Sequence, residues 1–141
     1  MRYGTRAMLD LANFYGRGPV LLRDIAKRQE ISIKYLDRIL STLKAAGLVK
    51  ALRGAKGGYE LNRNPSKITL AQIVKALDGR TELVECVGNR DYCKRINFCI
   101  MNDIWSQLSN AIEAMLDSKT LEDLVNSDKN KRNLADSMYF I

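Results

Sequence analysis

The sequence contains no histidine, only two prolines and only three cysteines, which lie close together. Without histidine, the imidazole-based acid–base, nucleophilic and metal sites of many enzymes are excluded. Since there is also no nucleophile–base constellation and no glycine-rich phosphate cradle, we do not expect an enzyme. No apolar run approaches the roughly 18 residues that cross a bilayer, and the N-terminus lacks the apolar region and cleavage site of a secretory signal. The sequence therefore predicts a cytoplasmic protein with no membrane partner.

What the chain does have is an uneven distribution of charge. Its net charge is +7, yet residues 1–80 carry 16 Lys and Arg against 6 Asp and Glu, whereas residues 81–141 carry 7 against 10. A basic N-terminal half is typical of proteins that bind polyanions such as nucleic acids. A surface that only keeps the protein soluble would give the same charge balance. The positions of the charges in the fold therefore have to distinguish it from a surface that binds nucleic acid.

The order of predicted elements is that of a winged helix-turn-helix domain over residues 1–80, in a fold that is mainly α with a small β-hairpin. Ser32 is a good N-cap for the third helix, and Thr69 with Gln72 makes a capping box for the fourth. Two short strands flank a glycine-rich turn, which is typical of a hairpin. Helices are predicted over 3–15, 21–30, 33–46 and 69–79, and strands over 48–52 and 59–61.

Beyond the winged domain we expect a cysteine-bearing sensor loop over 81–101 and a long helix with a short following helix over 102–127. A tail over 128–141 is expected to be flexible. The apolar stripe of the long helix has little to pack against within so short a chain, so it predicts a two-fold dimer interface. The interface residues are Trp105, Leu108, Ile112 and Met115. Such a homodimer would present two recognition helices to a pseudo-palindromic DNA operator.

The start of the third helix is the predicted DNA-recognition element. In a helix-turn-helix motif these residues reach base edges in the major groove. Lys34 and Arg38 can donate to guanine or hold phosphates, whereas Asp37 can accept from cytosine or repel the wrong base. An ordinary solvated helix face remains the alternative for each residue alone. The predicted DNA-binding residues are Arg28, Ser32, Lys34, Tyr35, Asp37, Arg38, and, in the wing, Arg53, Lys56 and Gly57.

All three cysteines, Cys86, Cys93 and Cys99, lie within the segment CVGNRDYCKRINFC. Thiols stay reduced in the cytoplasm, so clustered cysteines indicate metal or redox chemistry rather than a structural disulfide. Zinc usually takes four ligands and often CxxC pairs, and neither is present. A thiol switch that forms one disulfide under oxidation remains open, as does an iron–sulfur cluster.

The chain strongly resembles the IscR-like iron–sulfur winged-helix regulators of the Rrf-type family over nearly its whole length. The shared motifs are RYGTRAMLDLA, IS-x-x-YL, GLV, RG-x-x-GGY, ITL-x-I, DIW-x-x-L and the three cysteines. The resemblance implies a dimeric transcription factor that binds DNA through the residues above. It also implies an iron–sulfur cluster, [2Fe–2S] or [4Fe–4S], on Cys86, Cys93 and Cys99.

The fourth cluster ligand departs from the family pattern. The resemblance places a histidine three residues after the last cysteine, where this chain has Asn102. Asn102 and Asp103 are the foremost candidates, and Glu85, Asp91, a residue of the partner subunit, or an exogenous thiol or water remain open. An accessible site of this kind would sense oxygen, nitric oxide or iron shortage.

The leading hypothesis is therefore a DNA-binding transcriptional regulator, a repressor that senses iron–sulfur status, redox or nitric oxide. One alternative is a clusterless member that reads thiol oxidation or a partner enzyme. Another is a winged helix that binds an acidic protein instead of DNA.

Overall fold

The computed structural model describes residues 1–140 of the chain, and Ile141 lies outside the described residues. Within that range the protein has six α-helices and one antiparallel hairpin of two strands. This confirms the predicted fold class. The helices are α1 (Arg2–Asn13), α2 (Leu22–Gln29), α3 (Ile33–Ala45), α4 (Leu70–Asp78), α5 (Ile100–Asp117) and α6 (Leu121–Tyr139), and the strands are β1 (Val49–Leu52) and β2 (Gly58–Leu61).

The helix starts follow from their capping residues. The Ser32 hydroxyl accepts a hydrogen bond from the Tyr35 backbone N–H at 3.2 Å, and this bond satisfies a donor that the first turn of α3 leaves free. At the start of α4 the Thr69 hydroxyl accepts from the Gln72 N–H, while the Gln72 side chain accepts from the Thr69 N–H. Both caps occur where the sequence predicts them.

The apolar faces of α1 to α4 meet in one core, which the base of the hairpin and the start of α6 complete. Met8, Leu40 and Ile73 are fully buried, and so is Leu121 at the start of α6. Burying such a side chain contributes about 1.5–3 kcal/mol. The C-terminal helix therefore starts within the core of the winged domain.

The wing is held to the helices by a third backbone segment. β1 and β2 pair from Val49 opposite Leu61 to Leu52 opposite Gly58, and Val20 exchanges two backbone hydrogen bonds of 2.8 Å with Tyr59. Gly58 permits this approach because a Cβ at its position would collide with the Val20 carbonyl oxygen. The hairpin consequently has a fixed base beneath its glycine-rich tip.

The last helix is longer than the sequence predicts. We expected a helix that ends near Ser127 and then a flexible tail over 128–141, but α6 continues to Tyr139. Glycine and proline are absent from α6, and the Arg132 Nε lies 3.0 Å from the Asp128 carboxylate one turn earlier. These features favour continuation of the helix, since no residue breaks it and the pair lies at the i,i+4 spacing.

None of the helices within residues 1–140 combines the length and the apolar character needed to cross a membrane.

Candidate functional site

The first two turns of α3 present polar side chains on the face opposite the core. Leu36 and Leu40 are fully buried, whereas Lys34, Tyr35 and Arg38 are exposed. Neither Lys34 nor Arg38 pairs with a carboxylate in the part of the chain that the structure describes. The predicted recognition face therefore carries two cations that form no ion pair within the described residues.

Asp37 on the same face is connected to the wing. The Tyr59 hydroxyl on β2 donates to the Asp37 Oδ1 at 3.3 Å. Partial burial, with the negative charge of Asp37 and this hydrogen bond as further causes, raises the pKa of Tyr59. A neutral phenol thus stays in place to orient the carboxylate. Local patterns in the sequence did not reveal this role of Tyr59, because the two residues lie 22 positions apart.

The wing tip carries two exposed cations. Arg53 and Lys56 are exposed on either side of Gly54, whose positive φ of 105° shapes the turn. Gly57, predicted to let DNA approach closely, is instead buried, and a Cβ there would collide with the Leu52 carbonyl oxygen. Gly57 therefore serves the internal packing of the turn, and its predicted DNA contact does not match this position.

Arg28, also predicted to bind DNA, is exposed but paired with a carboxylate. Its Nη2 and Nε lie 2.7 and 3.0 Å from the two oxygens of Asp10, which is buried. The hydrogen bond to Asp10 is the main cause that raises the pKa of Arg28. The guanidinium carbon of Arg28 also lies over the Phe14 ring, 4.7 Å from the ring centre. Because its charge is matched by Asp10, Arg28 joins α2 to α1, and since its side chain is still 39% exposed, its contact with DNA stays a prediction.

The first turn of α1 adjoins the recognition helix. The rings of Tyr3 and Tyr35 meet edge to face, with centroids 5.9 Å apart and planes at 87°. Arg2 and Arg6 on α1 place their guanidinium carbons 4.6 and 5.5 Å from the centre of the Tyr3 ring. No pattern in the sequence predicts a DNA contact for these α1 residues.

The three cysteines lie in the irregular segment between α4 and α5. Cys93 is exposed, Cys86 and Cys99 are half-buried, and all three are free thiols. Among residues 1–140, no three Cys, Asp or Glu side chains approach closely enough to hold a metal ion. The donor set fits an iron–sulfur cluster chemically, since thiolates are its usual ligands, but the segment would have to close around the cluster.

A polar cleft of about 610 Å³ adjoins Cys86 and is lined in part by Asn102 and Asp103. The Asn102 side-chain amide donates to the Cys86 carbonyl oxygen at 3.1 Å. By contrast, the Glu85 carboxylate lies 3.0 Å from Arg80. Its own backbone N–H, and then Arg80, lower the pKa of Glu85. Of the proposed fourth ligands, Asn102 and Asp103 thus share a cleft with a cysteine.

The long helix α5 exposes much of its apolar stripe. Leu108, Ile112 and Met115 are 45%, 37% and 60% exposed, and Trp105 is half-buried. Ile104 on the same helix is also exposed. An apolar stripe of this length is unusual on the surface of a monomer.

Comparisons with known proteins identify the family. The Rrf2 family, described as iron-dependent transcriptional regulators, matches residues 1–127. The regulator IscR of Pectobacterium atrosepticum is 39% identical over 96% of this chain and 81% of its own length.

Solved structures agree with this match. CymR, the global cysteine regulator of B. subtilis, has a TM-score of 0.74 at 39% identity, covering 89% of this chain and 92% of its own. IscR of T. potens also has a TM-score of 0.74, at 37% identity, covering 90% of this chain and 83% of its own. The chain therefore belongs to the Rrf2 family and is a DNA-binding transcriptional regulator with a winged helix.

Proposed function

We propose that this protein is a cytoplasmic, homodimeric repressor that binds a pseudo-palindromic operator and senses iron–sulfur status, redox or nitric oxide through its cysteine segment. DNA binding is supported by one observation: the exposed cations on α3 and the wing tip form no ion pairs within the described residues. Lys34 and Arg38 on α3 and Arg53 and Lys56 on the wing are all exposed. None of the four pairs with a carboxylate within residues 1–140.

The two elements suit different parts of the duplex. The start of α3 enters the major groove, where Lys34 or Arg38 donates to guanine and Asp37, oriented by Tyr59, accepts from cytosine. Ser32 is the N-cap of α3 and Tyr35 lies in its first turn, positions that suit contacts to phosphates. Arg53 and Lys56 on the wing tip reach the neighbouring backbone or minor groove.

The exposed stripe of α5 supports the dimer. Covering Leu108, Ile112 and Met115 with the same stripe of a second copy removes apolar surface from water on both sides. A two-fold axis through this contact places two α3 helices on one duplex, as a pseudo-palindromic site requires. Sedimentation of the purified protein should give twice the chain mass, and Met115→Glu together with Ile112→Glu should give the monomer.

The cysteine segment is the proposed sensor. The family description, iron-dependent transcriptional regulator, connects this fold with iron. Cys86, Cys93 and Cys99 would hold the cluster, with Asn102 or Asp103 nearest to the remaining position. A cluster bound there supplies an iron centre that oxygen or nitric oxide can convert. Arg90, Lys94 and Arg95 add positive charge to the cysteine segment, which would offset the negative charge of a thiolate-bound cluster.

A second candidate is a clusterless regulator that responds to thiol oxidation or to a partner enzyme. One observation favours it: the similarity to CymR, which is described as a cysteine regulator. Exposed Cys93 is then the thiol most accessible to an oxidant.

Anaerobic purification separates the two candidates. A cluster gives a brown protein with visible absorption that bleaches in air and is absent from the Cys86→Ala, Cys93→Ala, Cys99→Ala triple variant. A colourless protein without iron, in which oxidation joins two of the cysteines, supports the clusterless candidate and contradicts the cluster.

DNA binding is tested with an operator selected from a random pool. Lys34→Ala and Arg38→Ala should weaken binding to that operator, and the logarithm of affinity should fall steeply with the logarithm of salt concentration. Binding to an acidic protein but not to any duplex would contradict the proposal.

A further inference from the structure

We propose that the first turn of α1 is a second DNA-contact element, in which Arg2 and Arg6 bind backbone phosphates beside the recognition helix. This inference rests on the proposed function and extends its interface. It starts from one contact: the edge-to-face packing of Tyr3 against Tyr35, with centroids 5.9 Å apart. Tyr35 lies in the first turn of α3, next to Lys34, so the contact places the start of α1 at the DNA-facing end of α3.

Tyr3 in turn fixes the two arginines. The Arg2 Nη2 donates to the Tyr3 hydroxyl at 2.7 Å, and its guanidinium carbon lies 4.6 Å from the ring centre. The Arg6 guanidinium carbon lies 5.5 Å from the same ring, and its Nε donates to the Gln29 side-chain oxygen at 2.8 Å. Both side chains are thus oriented by groups that carry no negative charge.

The contrast with Arg28 shows why this matters. Arg28 is neutralised by the buried Asp10 carboxylate, whereas neither Arg2 nor Arg6 pairs with a carboxylate in the described part of the chain. Both arginines are exposed. Two oriented guanidinium groups with free donors match the fork geometry that phosphate oxygens accept.

The position of the arginines favours phosphates over bases. They lie on α1, which precedes the two helices of the helix-turn-helix pair and meets α3 at its first turn, so they lie beside the helix that reads base edges and not on it. Contacts of this kind strengthen binding to every sequence equally, because phosphates carry no base information. The expected effect is therefore on affinity and salt dependence, not on sequence preference.

The test uses the full chain and a random-sequence DNA duplex, for which the operator need not be known. Arg2→Gln and Arg6→Gln are made singly and together, and affinity is measured as salt is raised from about 50 to 200 mM. The plot of log affinity against log salt has a negative slope. Each single variant should make that slope shallower by about 0.9 per protomer, and the double variant by about 1.8. Arg2→Lys with Arg6→Lys should keep most of the slope, since the charge remains.

Lys119→Gln is the matched control, because it removes the same charge from the connection between α5 and α6. Its slope should equal that of the unmodified protein. If the Arg2→Gln, Arg6→Gln double variant has the unmodified slope, or a loss no greater than the control, the inference is wrong.

Thermal unfolding verifies that the variants are folded. Should the double variant fail to fold, the two single variants decide in the same assay.

Two further outcomes distinguish this inference from the proposed function. Loss of binding in Lys34→Ala and Arg38→Ala with an unchanged slope in the α1 variants overturns only the inference. Absence of DNA binding by the unmodified protein overturns both. If the α1 variants keep the slope but lose the dimer, Arg2 and Arg6 belong to the contact between copies, and the inference is likewise overturned.

Discussion

The DNA-facing half and the cysteine segment are held together in opposite ways. Residues 1–80 surround a shared core in which side chains such as Leu40 and Ile25 have no exposed surface. Residues 81–101 contain no buried residue. Their backbone hydrogen bonds, such as Ile96 to Cys93 and Phe98 to Arg95, connect residues three positions apart.

This difference separates a preformed binding surface from a segment that can rearrange. Two side-chain hydrogen bonds link the cysteine segment to α5: the Leu83 N–H donates to the buried Ser109, and Asn102 donates to the Cys86 carbonyl. Regions with few buried apolar contacts open at low free-energy cost. The segment can therefore close around a ligand or form a disulfide without disrupting the winged core, and in the proposed dimer α5 would transmit the change to the second copy.

The largest expected effect is on stability. Leu40→Ala, at a fully buried position of α3, should lower the free energy of unfolding by about 2–5 kcal/mol. Ile96→Ala in the cysteine segment, where the side chain is half-buried, should lower it by no more than about 1 kcal/mol. Urea unfolding followed by circular dichroism measures both. Equal losses would show that the cysteine segment is as integral to the core as α3.

Two glycines with positive φ allow a closer comparison. Gly58 in the wing has φ 149° and Gly88 in the cysteine segment has φ 81°. A Cβ at Gly58 meets the Val20 carbonyl, whereas at Gly88 its nearest neighbour is the Glu82 side-chain oxygen at 3.8 Å. Gly88→Ala should cost about 1 kcal/mol, and Gly58→Ala more, because it adds a backbone collision to the conformational strain.

Gly58→Ala should also weaken DNA binding, since it displaces the wing, whereas Gly88→Ala should leave binding by the apo protein unchanged. Thermal unfolding and a binding titration on the same samples measure both effects. A wing that tolerates Gly58→Ala as well as the cysteine segment tolerates Gly88→Ala would contradict the proposed fixed base of the hairpin.

The smallest effect is expected from a single hydroxyl. Tyr59→Phe removes the hydrogen bond to Asp37 and should cost about 0.5–1.5 kcal/mol of stability. It should also reduce discrimination between the operator and a duplex altered at the base pair that Asp37 faces. Tyr92→Phe, at an exposed position of the cysteine segment, is the control and should change neither quantity. If Tyr59→Phe discriminates between the two duplexes as well as the unmodified protein does, Tyr59 does not orient Asp37 for base recognition.

Local features of the sequence predicted much of the fold. The caps at Ser32 and Thr69 form as expected, and the glycine-rich turn after β1 forms the wing. These features succeed because they depend on residues close together in the chain. The length of α6 was missed because its polar second half lacks the apolar period by which a helix is recognised.

The missed parts of the candidate site depend on residues far apart in the chain. The pairing of Arg28 with Asp10 joins residues 18 positions apart. The contact of Tyr3 with Tyr35 and the bond from Tyr59 to Asp37 likewise cross between elements. A single sequence does not reveal such pairs. Charge and residue type indicate that a side chain lies at the surface, but not which other residue it contacts.

The central claim is that the state of the cysteine segment controls a preformed DNA-binding surface. The most direct test is the operator affinity of anaerobically purified protein, air-exposed protein and the triple Cys→Ala variant at one salt concentration. We expect the affinities of the anaerobic and air-exposed forms to differ by about fivefold or more, as a coupling of 1–3 kcal/mol would give, and the triple variant to lose its response to air. Identical affinity in all three would contradict the claim and leave a constitutive DNA-binding protein.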